Sequence, residues 1–247
     1  MSLPSIETTA NPVQVDFAMK MHSHDLGQLS YTAEGATRLT IHTGRWIVPK
    51  GRVVWIPAGI AHEFSVIGAS SSWSAHLPEE YSGLLPQEVC VLGVTKLLFA
   101  SLETLALEKK EHPAASGRIR NLEAVIRDEL ERASPEPLGL QFPRSLALRK
   151  VADKLLRNPT DKKGLDVWAR ETGASLRSFT RKFKEETGTS FAKWRQVLRL
   201  QTSMEMLSEG QSVSDVAFAL DYGSVSAFVE AFRKHYGSPP GRLIAQR

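Results

Sequence analysis

The sequence predicts an α+β chain: a β-rich N-terminal half closed by two helices, then an all-helical half that carries one design twice. Three observations carry that prediction. Between about residues 13 and 77, short apolar runs are interrupted by glycine-bearing turns every eight to twelve residues, the pattern of a small barrel or sandwich. From residue 165 onward two segments repeat at matched spacing. Ala169 and Ala217 stand 48 positions apart, and the pairs Phe179/Phe228, Phe183/Phe232 and Gly188/Gly237 stand 49 apart. Between the halves, residues 133–143 hold three prolines and a glycine, which preclude a helix and favour an extended connection.

Composition sets the outer bounds. At 247 residues, with 42% hydrophobic and 23% charged positions, the chain suits two modest globular domains with real cores. One cysteine, Cys90, excludes an internal disulfide framework and a cysteine-built metal site. No basic segment followed by an apolar run marks a secretory signal, and no run of about 18 apolar residues could span a bilayer. The expectation is a cytoplasmic protein without a membrane partner. Residues 1–140 carry 12 Lys and Arg against 16 Asp and Glu, whereas residues 141–247 carry 19 against 11. An acidic half joined to a basic one points to a polyanionic partner for the C-terminal half alone.

The first domain is expected over 1–132, with its barrel at about 13–77. Strand candidates are Gln28–Tyr31, Arg38–His42, Trp46–Pro49 and Val53–Ile56, broken at Gly35, Gly44, Gly51, Gly59 and Gly68. A second pattern lies inside this one: His22 and His24 lead to Gln28 and Gly35, and then Gly51, Pro57, Gly59 and His62 follow. Alternation on a strand turns His22 and His24 to one face, where a turn-positioned His62 can join them. The bland alternative is that these imidazoles line a cavity or satisfy local hydrogen bonds. Trp46, Trp55, Phe64 and Trp73 are shared between packing and lining, and the sequence does not divide them.

These residues resemble the two motifs of the cupin superfamily, a small β-barrel with a His/His/Glu/His metal site. By position, His22, His24 and His62 match the histidines and Gln28 stands where the family has Glu; Val66 takes the place of a terminal Asn. The resemblance implies a divalent transition metal held by three neutral imidazoles, with Gln28 supplying a neutral oxygen. Loss of the acidic ligand counts more against redox catalysis than against metal binding.

From about 93 to 132 the period changes to helical. Val94, Leu97, Leu98, Leu102 and Leu105 mark one helix, and Ile119, Leu122, Val125, Ile126 and Leu130 a second, with a polar turn from Glu108 to Gly117 between them. Such a pair either covers the open face of the barrel or packs against its own copy, and the leucine content favours a homodimer.

The second domain is expected over 144–247. A helix from Leu146 ends at Asn158 and Pro159. The repeated design follows at 165–186 and 213–236. Each copy is a short helix with a small Ala at the crossing, a tight turn and a second helix, the helix-turn-helix arrangement that reads a DNA major groove. Gly173 suits the first turn. Leu176, Phe179 and Phe183 anchor the core, leaving Arg177, Ser178, Thr180, Arg181, Lys182 and Lys184 for DNA. Arg177 and Arg181 suit guanine edges; Lys182 and Lys184 suit phosphates. A helix from Phe191 to about Leu207 spans roughly 25 Å, enough to hold two reading helices near one DNA turn apart. In the second copy Val225, Ser226, Val229, Glu230 and Arg233 face outward. Glu230 can accept from a cytosine amino group and Val229 can touch a thymine methyl, so the first copy is expected to dominate discrimination.

Tyr222, Ser226-Ala227-Phe228, Ala231-Phe232-Arg233 and Gly237-Ser238-Pro239 resemble the AraC/XylS transcription regulators over about 145–247. The resemblance implies promoter binding to double-stranded DNA as a dimer and control by a small-molecule effector; RNA polymerase is a further candidate partner. It implies a non-enzyme. The competing reading is a metal-dependent cupin enzyme with an accessory nucleic-acid-binding domain. One departure stands out: Asp221 replaces the glycine the family places before the turn tyrosine, at an expected small cost in stability.

Overall fold

The computed structural model describes residues 6–15, 17–111 and 117–244, with side chains 9–15, 33, 68–71 and 243–244 excepted. Residues 112–116 of the expected polar turn lie outside it. The chain divides into two compact units. One holds the residues up to Leu39 together with Val48–Pro137, and the other holds Thr40–Ile47 with Leu138 onward.

The first unit is built on antiparallel strands: β1 (Glu7–Val15), β2 (Ala18–His22), β3 (Gly27–Ile41), β4 (Gly44–Pro49, whose first part belongs to the second unit), β5 (Val53–Ile56), β6 (His62–Leu77), β7 (Cys90–Gly93) and β8 (Ser134–Glu136). β6 pairs with β1, β2 and β3; β5 lies between β3 and β7; β8 closes the edge on β7. The register sets Glu7 opposite His76, His22 opposite His62 and Gln28 opposite Ile56. β5 is buried along its whole length, as its β-branched and aromatic residues Val53, Val54, Trp55 and Ile56 favour.

Two expected breaks are absorbed within strands. β3 runs through Gly35, which takes φ 74 and so relieves the strand without ending it; the amide of Lys50 donates to its carbonyl at 3.0 Å. β6 likewise crosses Gly68. At the start of β3 a glycine is needed for another reason: a Cβ on Gly27 would sit 2.1 Å from the Trp55 indole. That indole is held by its N–H, which donates to the Pro86 carbonyl at 2.7 Å.

A short helix α1 (Glu79–Ser82) leads on to α2 (Lys96–Glu111) and α3 (Gly117–Arg132). Their apolar stripes, Leu98, Leu102 and Leu105 with Ile119, Ile126 and Leu130, join Leu29, Val53, Trp55, Ala75 and Leu77 in one core. The faces expected to dimerise are thus spent covering the sheet, because leucines at helical spacing fit an internal face as well as an external one. Only Leu97 and Leu107 among the large apolar residues of α2 stay more than half exposed. Lys109 ties the pair together, donating to Glu123 at 3.0 Å and to the Ile6 carbonyl at 2.6 Å.

In the second unit β9 (Gly139–Gln141) pairs with the tip of the β3–β4 hairpin, Gly44 opposite Gln141 and Trp46 opposite Gly139. Residues 133–143 are therefore two short strands, β8 in one unit and β9 in the other, rather than an unpaired connection. The helices follow in order: α4 (Leu146–Arg157), α5 (Leu165–Glu171), α6 (Leu176–Thr187), α7 (Phe191–Ser208), α8 (Val213–Ala219), α9 (Val225–Tyr236) and α10 (Pro240–Ile244). Trp168, Phe179, Phe183, Phe191, Trp194 and Leu198 fill the first helical core. The far half of α7 turns Leu200, Met204 and Leu207 inward, and the Tyr236 hydroxyl of α9 donates to the Leu200 carbonyl at 3.3 Å. One helix thus serves both copies. The hairpin tip docks on it too: Arg45 Nε donates to Gln201 Oε1 at 3.0 Å, and the Gln201 amide donates back to the Arg45 carbonyl at 3.2 Å.

Candidate nucleic-acid interface and histidine cavity

Both copies of the repeat are built by the same backbone device. In the first, the amide of Ala174 donates to the Ala169 carbonyl and that of Gly173 to Arg170; in the second, Tyr222 donates to Ala217 and Asp221 to Phe218. Each is the paired bonding that ends a helix through one left-handed residue, here Gly173 at φ 69 and Asp221 at φ 58. Asp221 is the one non-glycine residue with positive φ among those described. Ser175 then caps α6 by accepting from the Ser178 amide, and Ser224 caps α9 by accepting from Ala227. Gly223 is the extra turn residue that separates the 48- and 49-residue spacings.

The capped helices bury Phe179 and Phe183, or Phe228 and Phe232, and this fixes what faces outward. Arg177, Thr180, Arg181 and Lys184 line one groove of about 490 Å³ with Ser190 and Ala192 at the start of α7. Ser178 and Lys182 are exposed but stand off this groove: the Ser178 hydroxyl accepts from Ser175 at 3.0 Å, and Lys182 pairs with Glu186 at 3.9 Å. Thr180 spends its hydroxyl on the Leu176 carbonyl at 3.0 Å, leaving its methyl for an apolar contact. Arg181 pairs with Glu185 at 2.9 Å in solvent, a bond weak enough to exchange for a base. On α9, Ser226, Glu230 and Arg233 are exposed, while Val225 and Val229 are half-buried. Exposed Ala227 and Lys234 were not among the expected contacts. Glu186 works inward instead, accepting from the amides of Arg144 and Ser145 at 2.8 Å and so capping α4.

The histidines meet in the first unit. One ring nitrogen from each of His22, His24 and His62 lies within 4.8 Å of the other two. Their ring centroids are 4.3 Å apart for His22 and His62, 5.0 Å for His22 and His24, and 4.9 Å for His24 and His62. His22 Nδ1 lies 2.8 Å from the Lys20 carbonyl and His62 Nδ1 lies 2.8 Å from the Ile60 carbonyl. A carbonyl only accepts, so both Nδ1 atoms carry a proton, and each ring in its neutral form keeps its lone pair on Nε2. That is the arrangement that orients an imidazole as a metal ligand. Burial, followed by the neighbouring His76, His62 and His22, holds His24 below the usual imidazole range despite Asp25. Burial lowers His62 as well, against the bond to Ile60. Neutral rings with fixed tautomers suit a divalent first-row metal.

Gln28 does not stand as a free oxygen donor. Its Oε1 is 2.8 Å from His24 Nε2 and accepts from it. The oxygen expected for a metal is thus engaged by the His24 ring in this structure.

The cavity around the cluster is about 330 Å³. Phe17, Met19 and Phe64 give it an apolar side, and Ser30, Ser72, Ser74 and His76 a polar one. Of the four aromatics considered from sequence, Phe64 lines it, whereas Trp46 and Trp55 are buried in packing. His76, 5.0 Å from His24 by ring centroid, was missed. The signal was present: Ser72, Ser74 and His76 alternate with Trp73, Ala75 and Leu77, and the latter three pack in or against the core.

Comparisons with known proteins bear on both halves of the chain. Residues 9–77 match the family described as AraC-like ligand binding domain, and residues 168–246 that described as Helix-turn-helix domain. The chain is 32% identical over 226 residues to the HTH-type transcriptional regulator NimR of Escherichia coli (strain K12), covering 92% of this chain and 82% of that one. It is 36% identical over 92 residues to the HTH-type transcriptional regulator RipA of Corynebacterium glutamicum, covering 37% of this chain and 28% of that one. Among solved structures, unsaturated fatty acid bound wild-type ToxT from Vibrio cholerae aligns with TM-score 0.40 and 11% identity, over 97% of this chain and 95% of that one.

Proposed function

Because the chain belongs to the AraC family of helix-turn-helix transcriptional regulators, with an N-terminal ligand-binding domain and a C-terminal DNA-binding domain, we propose that an effector in its histidine cavity governs how it engages a promoter. The observation that carries the DNA half is the groove where Arg177, Thr180, Arg181 and Lys184 converge, exposed and backed by a buried aromatic core. The guanidinium groups read guanine edges, and Lys182 and Lys184 hold phosphates. The second copy reads more permissively through Ser226, Val229, Glu230 and Arg233. α7, 18 residues and about 27 Å long, keeps the two reading helices at a fixed separation.

In the first domain His22, His24 and His62 would hold a divalent transition metal, which supplies a positive centre for a small-molecule effector to bind. Gln28 orients His24. The cavity lining contains no carboxylate among the described residues, and this favours sensing over catalysis. A homodimer would use the outward faces of α2 and α3, with Leu97 and Leu107 of α2 exposed there. No helix of the described residues is long and apolar enough to cross a membrane. We place the protein in the cytoplasm with its DNA, where RNA polymerase is its further partner.

Selection of duplexes from a random pool, followed by binding to the selected and a scrambled site at one stated salt concentration, tests the DNA reading. The selected site should bind about 10³-fold tighter or better. Equal affinities would overturn sequence-specific regulation.

A further inference from the structure

We propose that the histidine cavity is selective for a small carboxylate with an apolar body, drawn to a cation held by His22, His24 and His62 and read by Ser72, Ser74 and His76. This rests on the metal reading above and extends it to the chemistry of the ligand.

Charge carries the first part. Three imidazoles, their outer ring nitrogens engaged by the Lys20 and Ile60 carbonyls and the Gln28 amide, bring no negative charge to a divalent cation. Nothing else in the lining does so: among the described residues it holds no Asp, Glu, Lys or Arg, and Gln28 is neutral. Asp25 acts on His24 only through space and is itself exposed to solvent. A cation there would be the largest local charge, left uncompensated in a partly buried recess, and an incoming anion removes that imbalance.

Polarity carries the second part. β6 turns Ser72, Ser74 and His76 to the same side as His62, while Ala75 and Leu77 face the core. The Ser72 and Ser74 residues are buried yet reach the cavity, and each hydroxyl can donate to a ligand oxygen. A row of donors opposite a cation is matched by a group that only accepts. Phe17, Met19 and Phe64 in the same lining require an apolar remainder. The volume of about 330 Å³ lies at the small end of ligand sites.

The test loads the full chain with Co²⁺, follows its visible spectrum, and titrates acetate, benzoate and the neutral isostere benzamide. Benzoate should perturb the spectrum and bind at least tenfold tighter than benzamide. Ser74→Ala and His76→Ala should each weaken benzoate severalfold at unchanged Co²⁺ affinity. Gln28→Glu should bind Co²⁺ at least as tightly as the wild type and lose benzoate affinity tenfold or more, because its carboxylate supplies the missing charge. A Co²⁺-loaded protein that ignores both carboxylates, or a Gln28→Glu variant that keeps wild-type benzoate affinity, overturns the anion assignment and leaves the metal reading standing. Failure of the wild type to bind Co²⁺ removes the metal reading and this inference with it.

Discussion

His22 and His62 face each other across the β2–β6 pairing with ring centroids 4.3 Å apart, each with Nδ1 bound to the carbonyl two residues before it. The backbone therefore holds both rings before any ligand arrives, and both belong to the cluster shared with His24. The C-terminal unit is prepared in the same manner: buried phenylalanines and serine caps settle which side chains of α6 and α9 are left for DNA.

The two reading helices should contribute unequally. Arg181→Ala should weaken binding to a selected site by about 1–3 kcal/mol and relax discrimination at one base pair. Its surface pair with Glu185 offers little resistance to the exchange. Glu230→Ala should cost less. Gel-shift titrations of both variants on one duplex decide the order, and a larger loss for Glu230→Ala reverses the assignment.

Asp221 holds a conformation that glycine adopts without strain. With φ 58 it ends α8, and its ion pair with Lys162 at 3.3 Å is solvent-exposed and contributes little. Asp221→Gly should stabilise the chain by about 0.5–1 kcal/mol, and Asp221→Val should destabilise it by about 1–2 kcal/mol. Urea unfolding of the three proteins checks the ranking; a stabilising valine would show that the left-handed turn does not matter.

His235 makes stability depend on pH. Burial, then the nearby Lys193, pushes its imidazole from 6.5 down to about 4, and its Nε2 has no partner among the described residues. Between those values the unfolded chain binds more protons than the folded one. The native state is thus unaffected by this group above about pH 6.5 and loses stability as pH falls toward 4, by about 3 kcal/mol in all. His235→Phe should flatten that slope in denaturant melts taken across the range. An unchanged slope would place the acid sensitivity elsewhere.

Much of this was legible in the sequence because helix-turn-helix geometry is local. The Ala, Phe and Gly spacings encode crossing points, anchors and caps within some 25 residues, and even the longer second turn, which holds Gly223, shows as a one-residue offset. The histidines were legible by spacing, but Gln28's role was not, since whether an amide binds a cation or a neighbouring ring depends on distances no spacing reports. His76 belongs to no spaced motif, and only the alternation of β6, the strand it shares with His62, turns it toward the cavity. The fate of α2 and α3 depended on whether their leucines met a sheet, and the hairpin tip's bond from Arg45 to Gln201 joins positions 156 residues apart. Long-range partners of this kind leave no periodic trace.

The coupling of the histidine cavity to DNA is tested most directly by the affinity of the full chain for a selected duplex, measured metal-free and at saturating Zn²⁺, with metal content determined on the same samples. Zn²⁺ should change the wild-type affinity at least tenfold and leave His62→Ala, which lacks one of the three ligands, unresponsive. A wild-type protein that is fully loaded yet binds the duplex with the same affinity as the metal-free form would contradict control through this site.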